Sequence, residues 1–192
     1  MKTEPRVLVN KHTGEILAIR RVNRGNEIWL EINGSMPPGP IGPPMHVHYA
    51  ELEEATVTSG TLAAMVDGRK VSVTAGGHAM FPPGSVHRWW NGGDQTLVFG
   101  GYARPVVDLD RYLQAAFEVF NAGANERPPI FYMAHIAWRH RKTQGLRMAP
   151  AWILSIAIPV VVVIGTLLGK YRGRDWPGCP ARCSDAPFCS ES

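Results

Sequence analysis

An all-β fold is predicted for the first 107 residues of this 192-residue chain, with helices only after it. Three observations predict it. Short apolar runs recur between turn residues: Glu15–Val22, Glu27–Ile32, Thr61–Val66, Lys70–Thr74 and Thr96–Tyr102. Strands of this length and spacing, bounded by Gly, Pro, Asn and Asp, argue for a sandwich or barrel. Asp67-Gly68 separates TLAAMV from RKVSVT. That pair suits a two-residue type I′ hairpin, in which both central residues need positive φ. Finally, no long helical period interrupts Arg6–Val107.

Within this region lie four side chains of the types that hold a divalent metal: His46, His48, Glu53 and His87. Successive side chains of a strand point to opposite faces, so His46 and His48 share one face and Val47 takes the other. Two imidazoles about 7 Å apart along a strand can converge on one ion. Glu53 is five residues beyond His48, far enough for the chain to turn and bring a carboxylate alongside. His87 is separated from Glu53 by 33 residues. Only a closed or sandwiched sheet returns it to the same point.

These spacings resemble the cupin family, whose first motif reads G-x5-H-x-H-x3,4-E-x6-G and whose second reads G-x5-P-x-G-x2-H-x3-N. His46, His48, Glu53 and Gly60 match the first, and Gly76, Pro82, Gly84, His87 and Asn91 match the second without a gap. One position departs: Pro40 stands where the family has a glycine, with Gly39 and Gly42 beside it. An isolated His-x-His is usually a pair of surface or half-buried imidazoles, whereas nine matched positions carry a specific signal. The resemblance implies a double-stranded β-helix, or jelly-roll, barrel with His46, His48, Glu53 and His87 as metal ligands. Glu51 and Glu54 are rival carboxylates; Glu53 is the one that fits the spacing.

After Val107 the period changes. Asp108 is placed to cap a helix in which Leu109, Tyr112, Leu113, Ala116, Phe117 and Phe120 share one face, with Gly123 near its end. A second helix is expected from Pro128-Pro129 through IFYMAHIAWRHRK, proline being tolerated in a first turn. His135 and His140 read as ordinary helix histidines. The layout expected is a barrel over 1–107, a two-helix appendage over 108–147, an apolar helix over 149–170 and a disordered cysteine-containing tail over 171–192.

The apolar helix is expected to cross a membrane. Ala151–Gly169, AWILSIAIPVVVVIGTLLG, runs nineteen residues without a charge. As a helix it spans about 28 Å, close to the thickness of a bilayer's hydrocarbon. Pro159 and the β-branched run Val160–Val163 are tolerated in lipid. Four basic residues precede the segment and four follow it, so the positive-inside rule gives no orientation. The N-terminal stretch MKTEPRVLVNKHTGEILAI has no signal-peptide core. The expectation is therefore a single-pass membrane protein with its barrel facing the cytoplasm.

The formal net charge of +4 is spread along the chain as +1 over 1–107, +2 over 108–150 and +1 over 151–192. Neither a basic patch nor a nucleic-acid motif emerges, which excludes that partner class. All three cysteines, Cys179, Cys183 and Cys189, lie in the tail. Cys189 is fourth from the end, but Ser190 and Glu191 are not the aliphatic residues of a prenylation box. Protection of jelly-roll edges by pairing would suit a homodimer.

Three imidazoles and a carboxylate suit Fe, Mn, Ni, Cu or Zn, leaving about two coordination positions for water or substrate. The family resemblance implies dioxygenases, isomerases, decarboxylases and noncatalytic binding proteins. Two readings stand. One is a metal-dependent, dioxygenase-like oxidoreductase acting on a small apolar molecule, with Glu53 as ligand and proton acceptor. The other is a noncatalytic module that binds a metal or small molecule as a sensor or partner-binding domain. Met45, Met80, Phe81, Trp89 and Trp90 sit near the ligands in sequence. They either line an apolar pocket or pack the barrel core.

Overall fold

The computed structural model describes residues 4–39, 41–124, 127–173 and 175–179. Two antiparallel sheets hold the chain's first part. The larger runs in the order β1 (Arg6–Val9), β2 (Ile16–Arg24), β3 (Glu27–Met36), β10 (Leu97–Arg104), β5 (Leu52–Ser59) and β8 (His78–Phe81). The smaller runs β11 (Gln144–Leu146), β4 (His46–His48), β9 (Val86–Asn91), β6 (Thr61–Val66) and β7 (Arg69–Thr74). Among the described residues no ladder joins the two sheets, so the expected barrel is an open jelly-roll sandwich. One apolar core lies between them, with Leu30, Leu62, Ala64, Leu97 and Ala103 at 0–1% exposure. Burying each leucine contributes roughly 1.5–3 kcal/mol.

The local sequence explains the ladder. β6 and β7 pair through Asp67 and Gly68, at φ +47° and +78°, the mirror-image turn that the dipeptide predicts. Asp67 Oδ1 also accepts the Val86 amide at 2.8 Å, tying the hairpin to β9. In β9 the buried positions alternate, His87, Trp89 and Asn91 facing inward. Asn91 Nδ2 donates to the carbonyls of Met36 (2.9 Å) and Gln95 (2.7 Å), and its Oδ1 accepts the Gly93 amide, so this polar residue staples both ends of the loop. At Gly101, between β5 and β3, a Cβ would lie 1.8 Å from the Glu54 carbonyl oxygen, so the ladder closes only over glycine.

Helix α1 (Leu109–Ala122) ends at Gly123, as the sequence predicts. Asp108 occupies its N-cap but makes no side-chain cap; its Oδ2 accepts instead from His140 Nδ1 at 2.6 Å. Helix α2 (Ile130–Arg139) stops short of Lys142, because the chain turns at His140 and enters β11. The segment expected as an appendage thus adds an edge strand to the smaller sheet, with Gln144 opposite His48 and Leu146 opposite His46.

The membrane expectation is overturned. Helix α3 (Ala151–Leu167) has 17 residues, about 26 Å at 1.5 Å per residue, and no helix among the described residues is long and apolar enough to cross a membrane. The reason is local. Gly169 turns the chain at φ +67°, and Tyr171 folds back so that its hydroxyl donates to the Phe131 carbonyl on α2 at 2.9 Å. The tail's first residues are packed as well: Trp176 stacks on Tyr132, Gly178 N–H donates to Glu118 Oε2 at 2.9 Å, and Cys179 is a buried free thiol. Cys183, Cys189 and the tail beyond 179 lie outside the described residues.

Gly101→Ala is expected to lower unfolding stability by about 2 kcal/mol or more, read from urea denaturation, since an added methyl must push β5 and β10 apart. An unchanged midpoint would contradict this close approach.

Candidate metal centre

The four expected residues meet. β4 pairs with β9 so that His46 lies opposite His87, and Glu53 comes from the facing sheet at the start of β5. One ligand atom from each of His46, His48, Glu53 and His87 falls within 4.8 Å of the others. His46, His48 and His87 are buried. His46 Nε2 is 3.2 Å from His48 Nε2, and Glu53 Oε2 is 3.3 Å from His48 Nε2 and 3.7 Å from His87 Nε2. Both rival carboxylates point elsewhere. Glu54 accepts from Arg104 Nη2 at 3.1 Å, and Glu51, fully buried, accepts from Gln144 Nε2 at 3.4 Å.

Each imidazole is aimed by a bond from its other nitrogen. His46 Nδ1–H donates to the Pro44 carbonyl (2.7 Å), His87 Nδ1–H to the Ser85 carbonyl (3.1 Å), and His48 Nδ1–H to Gln144 Oε1. This fixes the tautomer and leaves the Nε2 lone pairs pointing at one another and at Glu53. His87 Nε2 is a buried atom with no hydrogen-bond partner. A buried, orphaned lone pair beside two more and a carboxylate is what a divalent cation would satisfy, so the donor set fits such an ion. Phe81 stacks on His87 at 4.6 Å and limits its rotation.

The electrostatics agree with a site built for positive charge. Burial, then the charges of His48 and His87, push His46 down to about 3 and keep it neutral. Burial alone would raise Glu53, but the adjacent His48 and His87 imidazoles hold it far below the usual carboxylate range. Burial also opposes charge on His48, yet the hydrogen bond and charge of Glu53 and the bond to Gln144 leave it raised.

Beside these ligands opens a cavity of about 300 Å³, lined mostly by apolar side chains. Leu109, Tyr112, Leu113, Ala116, Phe117 and Phe120, the apolar face predicted for α1, form one wall. Trp89 lines it too, packed edge-on to Phe99 at 5.0 Å. Of the other residues weighed from sequence, Phe81 is core behind His87, Trp90 lies under Arg88, and Met80 faces outward.

Sequence reasoning missed two groups. Gln144 reaches His48 from 96 positions away through the β11–β4 pairing, which no local signal announces. Glu15 is 7% exposed and lines the cavity. Burial, then the charge of Glu53, raise it to about 7. Its trace was in the sequence: Glu15, Leu17 and Ile19 alternate onto one buried face, an acid where an apolar residue is expected.

Residues 33–102 match the family model of the cupin domain. That match agrees with the spacing and convergence of His46, His48, Glu53 and His87. Among curated proteins, the oxidoreductase iacF of Pestalotiopsis fici is 35% identical over 88 residues, 44% of this chain. The chain covers 43% of that relative's length. A predicted oxalate decarboxylase of Thermotoga maritima is similar at 21% identity over 54% of this chain and 93% of its own, TM-score 0.43. A double-stranded β-helix protein of Klebsiella pneumoniae is similar at 26% identity over 46% of this chain and 76% of its own, TM-score 0.39.

Gln144→Ala is expected to weaken Zn²⁺ or Co²⁺ binding roughly 10–100-fold in direct titration, because His48 loses the bond that orients it. Equal affinity in both forms would contradict the arrangement. Glu15 carries a separate prediction with a definite sign. Its folded-state value is raised, so stability is whole at acid pH and falls as pH climbs from about 4.5 through about 7. Glu15→Gln should match the wild type near pH 4 and exceed it by about 3 kcal/mol above about pH 8 in urea unfolding.

Proposed function

We propose that this chain is a metal-dependent oxidoreductase of the dioxygenase-like kind, acting on a small, largely apolar molecule held in the cavity beside His46, His48, Glu53 and His87. The observation that carries the reading is the convergence of three aimed imidazoles and one ionised carboxylate at the wall of a mainly apolar cavity. A donor set of this composition suits Fe, Mn, Ni, Cu or Zn. When bound, such an ion supplies Lewis acidity and, for the redox-active metals, a site for electron exchange. The relative in Pestalotiopsis fici, an oxidoreductase, supports the same class.

The chain's own residues have distinct parts in this reading. His46, neutral even in acid, offers a lone pair at any working pH. Glu53 is the anionic ligand that offsets part of the cation's charge. Trp89, Phe99, Phe117 and the α1 wall exclude water and favour an apolar substrate by burial. No substrate-sized charged group is welcomed by such a lining.

Purified full chain loaded with Fe²⁺, Mn²⁺, Ni²⁺, Cu²⁺ or Zn²⁺ is expected to retain close to one ion after desalting, by elemental analysis. His46→Ala and His87→Ala should retain about a tenth of that or less. The loaded wild type should consume dioxygen with small aromatic or apolar hydroxy compounds, followed at an oxygen electrode. Stoichiometric metal without turnover across such a panel would refute the oxidoreductase reading, and absence of bound metal would refute the centre itself.

A further inference from the structure

The same cavity holds a second carboxyl that no motif places. Glu15 follows the β1–β2 turn, where the Asn10 amide donates to the Glu15 carbonyl at 2.8 Å and the Glu15 amide to Thr13 Oγ1 at 3.3 Å. Its backbone is pinned by these bonds. Its side chain is not: among the described residues no hydrogen bond to the carboxyl is seen, and burial and the charge of Glu53 act on it. Glu15 is 7% exposed and lines a mostly apolar cavity, so a group entering that cavity can reach its carboxyl. The metal ligands do not use it, since the ligand cluster is His46, His48, Glu53 and His87.

We propose that Glu15 is the polar anchor and proton-exchanging group of this cavity, pairing with one oxygen atom of an otherwise apolar, ring-sized ligand. The inference rests on the reading above and goes beyond it in naming the residue and the ligand class. As a neutral acid, Glu15 donates its O–H to a carbonyl oxygen of the ligand. As a carboxylate it takes the proton of a ligand hydroxyl: the ligand O–H bond breaks, the carboxyl O–H bond forms, and no electron changes hands. Burial, then the charge of Glu53, raise this carboxyl toward neutral pH, where a group that must both give and take a proton works best. The cavity is also lined by Leu17, Ile32, Phe99 and Phe117, apolar walls that suit the ring of such a ligand. The other titratable groups lining the cavity are His12, His46, His48, Glu53 and Tyr112. Burial holds the Tyr112 phenol neutral, at about 12.

Acetophenone, an apolar ring with one carbonyl acceptor and no titrating group of its own, is the probe. Its affinity for the Zn²⁺-loaded full chain is measured by calorimetry from about pH 5 to about pH 9. Wild type is expected to bind in the acid range and to weaken about tenfold or more as Glu15 loses its proton. Glu15→Gln, which keeps an N–H donor at every pH, should bind without pH dependence. Glu15→Leu should bind weakly throughout, and His12→Gln should keep the wild-type profile. A pH-independent wild type, Glu15→Leu binding like wild type, a profile that moves with His12 instead, or no acetophenone binding at any pH would each overturn the assignment. Zinc uptake is recorded first on the same samples. Its absence sinks the metal centre, whereas zinc uptake with any of the overturning profiles sinks only the role of Glu15.

Discussion

The antiparallel pairing of β4 with β9 is the constraint from which the site follows. It sets His46 opposite His87, and the period of two along β4 brings His48 to the same face. Neither strand is free to slip. β4 is held on its other edge by β11, and β9 by β6, while the Gly84 amide donates to the His48 carbonyl at 2.7 Å. A slip of one residue would turn every imidazole to the opposite face, so register and ligand geometry are one property. The bonds from Nδ1 to Pro44, Ser85 and Gln144 then convert three correctly placed rings into three correctly aimed lone pairs.

The helical half of the chain is not an accessory to this arrangement. Asp108, at the head of α1, is linked to His140, at the end of α2, and the chain leaving His140 becomes β11 with Gln144. The Gln144 amide donates to the His140 carbonyl at 2.7 Å, which holds the start of the strand against the helix end. Burial would raise Asp108, but the bond from His140 holds it below the usual range, so this junction carries a charge-assisted hydrogen bond. From it α1 runs on to wall the cavity. One junction therefore governs both the orientation of a metal ligand and the shape of the space beside it.

The apolar segment 151–167 shows why composition alone misleads. A run of Ile, Val and Leu without charge satisfies the composition rule for a bilayer span even in a 17-residue helix that neighbours α2 and keeps most of its large apolar side chains exposed. What separates the two is where its flanks go. Here Tyr171, Trp176 and Gly178 return to α1 and α2 through a stacked ring, a tyrosine hydroxyl and a glutamate. Helix α3 is short because the chain turns back at Gly169, and those return contacts lie outside the window that hydropathy reads.

Local sequence was enough for anything governed by a short period or a special backbone angle. The β6 strand, the Asp67-Gly68 turn, the apolar face of α1 and its end at Gly123 all fall where they are read. The spacing of His46, His48, Glu53 and His87 also identified four side chains that do converge. Strands β1, β5, β8, β9 and β11 do not stand out as apolar runs, being short or polar, because their stability comes from neighbours rather than from propensity. Gln144 at His48, Asp108 at His140 and the place of Glu15 on the cavity wall belong to the tertiary structure alone. Each depends on which distant surface a side chain meets. Such meetings are set by the packing of whole elements against one another, and a residue's near neighbours in sequence carry no record of them.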